Sequence, residues 1–115
     1  MKTVGPAARV TIGELRQMAT GGFGDLVKAV VDVERGIMVL DAELHADQEA
    51  LLLDQGSRQL DLWGINLYPD LTDADFVEFD SMINVRPSQG NRSRGVEDET
   101  LRARIRTIVN GLVER

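Results

Sequence analysis

The chain has no cysteine, which removes disulfide staples, thiolate metal centres and thiol nucleophiles at once. It has one histidine, so any metal site would have to draw most of its ligands from carboxylates. Aromatic residues make up only 4% of the 115, leaving little on which single-stranded nucleic acid could stack its bases. Tyr68 is the one plausible platform. No stretch approaches the roughly 20 apolar residues that span a bilayer, and Met1-Lys2-Thr3-Val4-Gly5-Pro6 lacks the apolar run of a secretory signal. The expectation is a cytoplasmic protein with no membrane partner. A basic excess is missing as well: formal net charge is −6, whereas proteins that grip phosphate backbones usually carry a surplus of Lys and Arg. Nucleic acid is therefore not an expected partner.

What remains is ordinary globular material. Hydrophobic residues account for 43%, enough for one core in a single domain spanning 1–115, with 1–10 as a loose lead-in, at most a short edge strand. Charge is unevenly spread. Residues 41–80 are acidic, while Arg86, Arg92, Arg94, Arg102, Arg104 and Arg106 are six of the 13 basic residues.

Thr11 with Glu14 reads as a capping box opening a short helix that buries Ile12, Leu15 and Met18. Gly21-Gly22-Phe23-Gly24 ends it; no Gly-Lys-Ser/Thr follows and no strand precedes, so these glycines read as a helix stop rather than a phosphate cradle. Over 25–45, Val27, Ala29, Val31 and Val33, then Met38, Leu40, Ala42 and Leu44, alternate with other residues. Folding at Arg35-Gly36 would pair Val33 with Met38, Val31 with Leu40 and Lys28 with Glu43, a β-hairpin whose pattern sets its own pairing. A helix over 25–34 is the alternative, since Leu26, Val30 and Val33 also suit that period. Asp47 then caps a helix over 48–55 with Leu51, Leu52 and Leu53 inside and Gly56 as its stop. A third strand follows at 60–68, with Trp63, Ile65 and Leu67 on one face and Leu62, Gly64, Asn66 and Tyr68 on the other. A fourth covers 76–86. Its Val77, Phe79, Ile83 and Val85 face the core, with Ser81 among them opposite Trp63. The last helix carries the stripe Leu101, Ile105, Ile108, Val109 and Leu112 behind the acidic start Glu97-Asp98-Glu99. Together these elements predict an α+β fold of order α-β-β-α-β-β-α: a four-stranded, mostly antiparallel sheet with helices packed on one face.

The uncovered face would then display Lys28, Asp32, Glu34, Asp41, Glu43, His45, Asn66, Tyr68, Glu78, Asp80, Asn84 and Arg86, and antiparallel sheets often leave one face wet. The segment Asn84–Gly95 borders it and gathers more hydrogen-bond donors than any other part of the chain. Its arginines are planar forks for phosphate or carboxylate. The expected ligand contacts are Arg86, Asn91, Arg92 and Arg94, with Asn66, Tyr68 and His45 adding selectivity. The competing assignment pairs Arg86 or Arg92 with Glu78 and Asp80 across the face. A catalytic site is not defined; its candidates are His45 as base, oriented by Asp32 or Glu43, and Asp80. No metal is expected. An oxygen-rich cation site would have to use Glu43, Glu78 and Asp80, with Asp41 beside them. No cofactor motif is present.

The blocks Val-Lys-Ala-Val-Val-Asp-Val-Glu (27–34), Glu-Leu-His-Ala-Asp (43–47), Leu-Trp-Gly-Ile-Asn-Leu-Tyr-Pro (62–69) and Ile-Asn-Val-Arg-Pro-Ser-Gln-Gly-Asn-Arg-Ser-Arg (83–94) resemble a family of small, mostly bacterial proteins known only as a domain of unknown function. The resemblance spans about 25–113, with 1–24 matching poorly. It implies a stand-alone bacterial cytoplasmic protein and transfers no activity or site residue. The family pattern has Gly-Gly where this chain has Asp41-Ala42. The leading expectation is a binding module for a small anionic ligand or an acidic partner segment. The alternatives are a hydrolase of phosphate or amide bonds using His45 or an acidic cluster, and a protein–protein interaction domain.

Overall fold

The computed structural model describes residues 1–115 and is organised on a five-stranded sheet in which every pairing is antiparallel. In chain order the elements are β1 (Lys2–Val4), β2 (Val10–Thr11), α1 (Ile12–Thr20), β3 (Val27–Asp32), β4 (Ile37–Leu40), α2 (His45–Asp54), β5 (Leu62–Leu67), β6 (Val77–Glu78), α3 (Glu99–Leu112) and β7 (Val113–Glu114), with four short 3-10 turns between them. The sheet runs β1-β4-β3-β5-β6, and β2 pairs with β7 as a separate parallel ribbon.

The fold class holds and the layering does not. The lead-in does contain the short edge strand allowed for it, β1 paired with β4, and is anchored rather than loose, with Val4 and Val10 both buried in the core. This makes five strands where four were expected. The helices also cover both faces. Leu15 and Ala19 of α1, and Ile105, Val109 and Leu112 of α3, join Val27, Ala29, Val31, Met38, Leu40, Trp63, Ile65 and Leu67 in the main core. On the opposite face Leu52 of α2 packs with Val30, Val39 and Leu62. The physical reason is that this second face is not polar throughout. A fully buried Val or Leu contributes about 1.5–3 kcal/mol, so a face carrying Val30, Val39 and Leu62 is stabilised by a cover.

Local signals fare well where chemistry is local. Thr11 Oγ1 accepts from Glu14 N at 3.1 Å while Thr11 N donates to Glu14 Oε1 at 3.2 Å, the reciprocal pair that the capping box implies. Asp98 caps α3 by accepting from Thr100 N and Leu101 N. Residues 27–32 are a strand, not a helix. The β3–β4 hairpin keeps its two faces but shifts by two positions: Val31 pairs with Met38 and Ala29 with Leu40. The turn is consequently four residues long, not two. Asp32 makes it, accepting from Glu34 N and Arg35 N at 2.9 Å each, with Gly36 at φ 67°. The shift removes the Lys28–Glu43 pairing; Asp41 N instead donates to the Lys28 carbonyl at 3.2 Å.

Other elements differ too: β4 stops at Leu40, so Ala42 and the exposed Leu44 lie outside the hairpin, and Gln59–Asp61 is a 3-10 turn ahead of β5. Helix α2 starts at His45 behind Leu44, which supplies no side-chain cap, rather than at Asp47. Of its three leucines only Leu52 is fully buried, while Leu53 lies exposed. The strand expected over 76–86 stops after Glu78, and Met82–Asn84 forms a 3-10 turn instead. Val85 is exposed, and Ile83 packs on the second face rather than the main core.

Candidate functional site

The truncation of β6 sets up the region where the expected ligand residues lie. Beyond Glu78 the outer edge of β5 has no strand beside it, and its backbone groups are taken by side chains. Asn84 Oδ1 accepts from Gly64 N at 2.8 Å and Asn84 Nδ2 donates to Gly64 O at 2.9 Å, so one carboxamide stands in for a strand residue. Nδ2 also reaches Arg94 O at 3.0 Å. The approach requires glycine: a Cβ on Gly64 would lie 2.5 Å from Ser81 Cβ. Thus Ser81 sits against Gly64 and not opposite Trp63.

One residue pair further along, Arg86 finishes the same edge. Its guanidinium donates to Ile83 O at 2.9 Å, Gln59 O at 2.8 Å and the carbonyl of Leu62, stacks 4.5 Å from the Trp63 ring and approaches Glu49 at 3.7 Å. Only 8% of it is exposed. Burial draws its pKa below the ordinary guanidinium value, opposed by the Glu49 carboxylate. Arg86 is thus committed to carbonyls inside the protein, and it pairs with neither Glu78 nor Asp80. Asn91 is similar. It is buried, its Nδ2 donates to Asn84 O at 2.7 Å and Gly95 O at 2.8 Å, and its Oδ1 accepts from Glu97 N at 2.9 Å. A backbone bridge between Arg86 and Asn91 closes the loop between them, with Pro87 opening a 3-10 turn and Gly90 at φ 78° ending it.

Arg92, Ser93 and Arg94 form the exposed arm of this loop. The amides of Arg92 and Ser93 both donate to Glu97 Oε2, at 2.6 and 2.9 Å. These two backbone bonds hold the Glu97 carboxyl below its ordinary pKa. The Arg94 side chain pairs with Asp80 at 2.7 Å, as the polar face predicts for that loop in kind though not in residue. The Arg92 guanidinium takes part in no ion pair.

The polar face itself shrinks to a strip beyond the N-terminus of α2. A transverse row runs Lys28, Asn66, Glu78 across β3, β5 and β6. Glu78 Oε1 accepts from Asn66 Nδ2 at 2.8 Å and from the Tyr68 hydroxyl at 3.1 Å. Asn66 is buried, and because its Nδ2 faces two acceptors, Glu78 Oε1 and Asp80 O, its Oδ1 points elsewhere and has no donor. Tyr68 is raised in pKa by burial first and by the Glu78 carboxylate second. His45 borders the strip. Its Nε2 donates to Ile65 O at 2.7 Å, which assigns the proton to that nitrogen, and burial keeps the imidazole below its ordinary pKa against the pull of that carbonyl.

The structure therefore links Asn66, Tyr68, Glu78, Asp80 and Arg94 through hydrogen bonds, sets His45 at their border on Ile65 O, and leaves Arg92 exposed. Asp32 is no partner of His45: it is fully buried in the hairpin turn, where its Oδ2 accepts from Ser57 Oγ at 2.6 Å. Glu43 and Asp41 are exposed on the β4–α2 connection. No group of three or more His, Asp or Glu side chains is placed to hold a metal ion. Sequence reading missed Gln48 and Ser57. Gln48 is fully buried and donates from Nε2 to Lys28 O at 2.7 Å. The spacing His45, Gln48, Leu52 is the helical signal that would have found it.

A family model described as Protein of unknown function (DUF5674) matches residues 7–112, so the match reaches further toward the N-terminus than the four motif blocks suggested. No curated protein matches the chain, and no solved structure does.

Proposed function

We propose that this chain, which belongs to the DUF5674 family of proteins of unknown function, is a binding module that takes the carboxylate or phosphate group of a small ligand on the 92–94 arm. The observation that carries the reading is the Glu97 carboxylate. Two consecutive backbone amides already converge on one of its oxygens at 2.6 and 2.9 Å, so the arm presents two N–H donors aimed at a single oxyanion. The free Arg92 guanidinium stands at the same place, and Arg94 is tethered beside it to Asp80. Asn66, Tyr68 and His45 supply acceptor and donor groups for whatever the oxyanion is attached to. Arg86 and Asn91 support the arm from inside and are not counted among the ligand contacts in this reading.

Glu97 is then an internal competitor for the external anion. Titrating inorganic phosphate into 15N-labelled protein is expected to move the Arg92 and Ser93 amides. Glu97→Gln should tighten that binding and Arg92→Ala should weaken it. Phosphate-dependent shifts that avoid residues 91–97 in all three proteins would reject the arm as the site.

A further inference from the structure

A different part of the molecule holds two more arginines that lack acidic partners. The segment Thr72–Ala74, the C-terminal half of α3 and Arg115 enclose a depression of about 570 Å³ lined by Thr72, Asp73, Ala74, Val77, Arg106, Asn110 and Arg115. That volume falls within the range of small-ligand sites. Neither Arg106 nor Arg115 forms an ion pair, although most arginines of this acidic chain do. Each instead lies over a phenylalanine: Arg106 at 5.0 Å from the Phe79 ring and Arg115 at 4.6 Å from that of Phe76.

Both guanidiniums are thus held within cation–π range of a ring, an attraction that spends none of their N–H donors. Arg106 spends one nitrogen on Ala74 O at 3.2 Å, which also ties the 72–74 segment to α3. Its other donors and those of Arg115 remain for a ligand. The apolar rings behind them limit hydration from that side and strengthen any charge interaction made in front. Asp73, at the rim, adopts φ 53°, a left-handed conformation that aspartate tolerates better than most side chains.

We infer that this depression is a second oxyanion site, in which Arg106 and Arg115 receive a phosphate or carboxylate group and Thr72 and Asn110 complete its hydrogen bonds. Asp73 tunes it: its carboxylate lies beyond ion-pair distance of both guanidiniums yet shares the depression, so it opposes a fully ionised ligand.

The test is a titration of the full chain with inorganic phosphate at low salt, and separately with acetate, reading the side-chain Nε–H signals of Arg106 and Arg115. Phosphate favoured over acetate would assign the ligand to phosphoryl compounds, and the reverse to carboxylates; either supports the site. Asn110 and Asp73 are exposed, so substitutions there test charge without disturbing packing. Asp73→Asn is expected to tighten binding and Asn110→Asp to weaken it, each about two- to fivefold, as for exposed charge pairs. Arg106→Gln should weaken it about tenfold, and Arg92→Ala should leave it unchanged. Non-saturating shifts spread over every arginine, or identical affinities in Asp73→Asn and Asn110→Asp, would overturn the inference. Loss of the response in Arg92→Ala would overturn it too, by assigning the anion to the 92–94 arm.

Discussion

Replacing Asn84 tests the claim that one side chain substitutes for a missing strand. In Asn84→Ala, Gly64 loses partners for both its N–H and its C=O, and Arg94 O loses one of two donors, the other being Ser81 N at 2.9 Å. Each buried backbone group left unpaired costs about 1–3 kcal/mol, so the two on Gly64 put the loss at about 2–6 kcal/mol. That is a large share of the roughly 5–15 kcal/mol that holds a small domain together. Asn84→Asp sharpens the test. The carboxylate can still accept from Gly64 N, but its second oxygen would face the carbonyls of Gly64 and Arg94. Fully buried there, the new carboxyl should have a folded-state pKa raised above its ordinary value of about 3.9. A raised folded pKa gives stability that is present below the unfolded pKa and lost as pH rises. The Asp variant should therefore fall short of wild type by little at pH 4 and progressively more toward pH 7. Urea unfolding at matched m-values measures both effects, and hydrogen exchange at the Gly64 amide reports the site directly. An Ala variant costing less than about 1 kcal/mol with Gly64 still protected would refute the reasoning. So would an Asp deficit that does not change with pH.

Three further outcomes are expected. Because burial lowers the folded pKa of His45 below its unfolded value near 6.5, the unfolded chain takes up a proton first, and stability should fall as pH drops below about 6.5; His45→Gln should flatten that slope in equilibrium unfolding between pH 7 and 5.5. Gly64→Ala should cost about 1–3 kcal/mol by driving a Cβ into Ser81, and the added Ser81→Gly should restore part of it, which thermal melts will read. Asp41 sits at φ 68°, so Asp41→Gly should leave stability within about 0.5–1 kcal/mol of wild type while Asp41→Val costs more, as measured by chemical denaturation.

That last position also shows how sequence and structure inform one another. The resemblance leads one to expect glycine where this chain has Asp41, and the backbone there is left-handed, the conformation that glycine adopts most easily. Strand assignments and faces over 27–33 and 62–68 were legible because alternation is a local property. The hairpin register was not, because it depends on turn length, and Asp32 extended the turn by accepting from two amides. The polar face was half legible. Lys28, Asn66 and Glu78 do share it, but Val30, Val39 and Leu62 share it too, and their presence on that face was the available sign that something must cover it. Helix α2 escaped notice as the cover because its inward residues include His45 and Gln48, whose hydrogen-bonding groups are met by carbonyls of the sheet, Ile65 O and Lys28 O. Polar side chains satisfied by backbone look solvent-facing in a sequence. The same holds for Arg86 and Asn91, whose donor count drew attention to the loop although the bonds run inward.

The way β5 ends its lateral pairing has a consequence for the behaviour of the protein in concentrated solution. A bare strand edge is a template on which a second molecule can polymerise. Here the edge donors and acceptors are taken by the Asn84 amide and the Arg86 guanidinium, and an incoming backbone could displace the latter only by leaving a buried charge without its acceptors. Proteins altered at Asn84 or Arg86 should accordingly self-associate through this strand before they lose their helices.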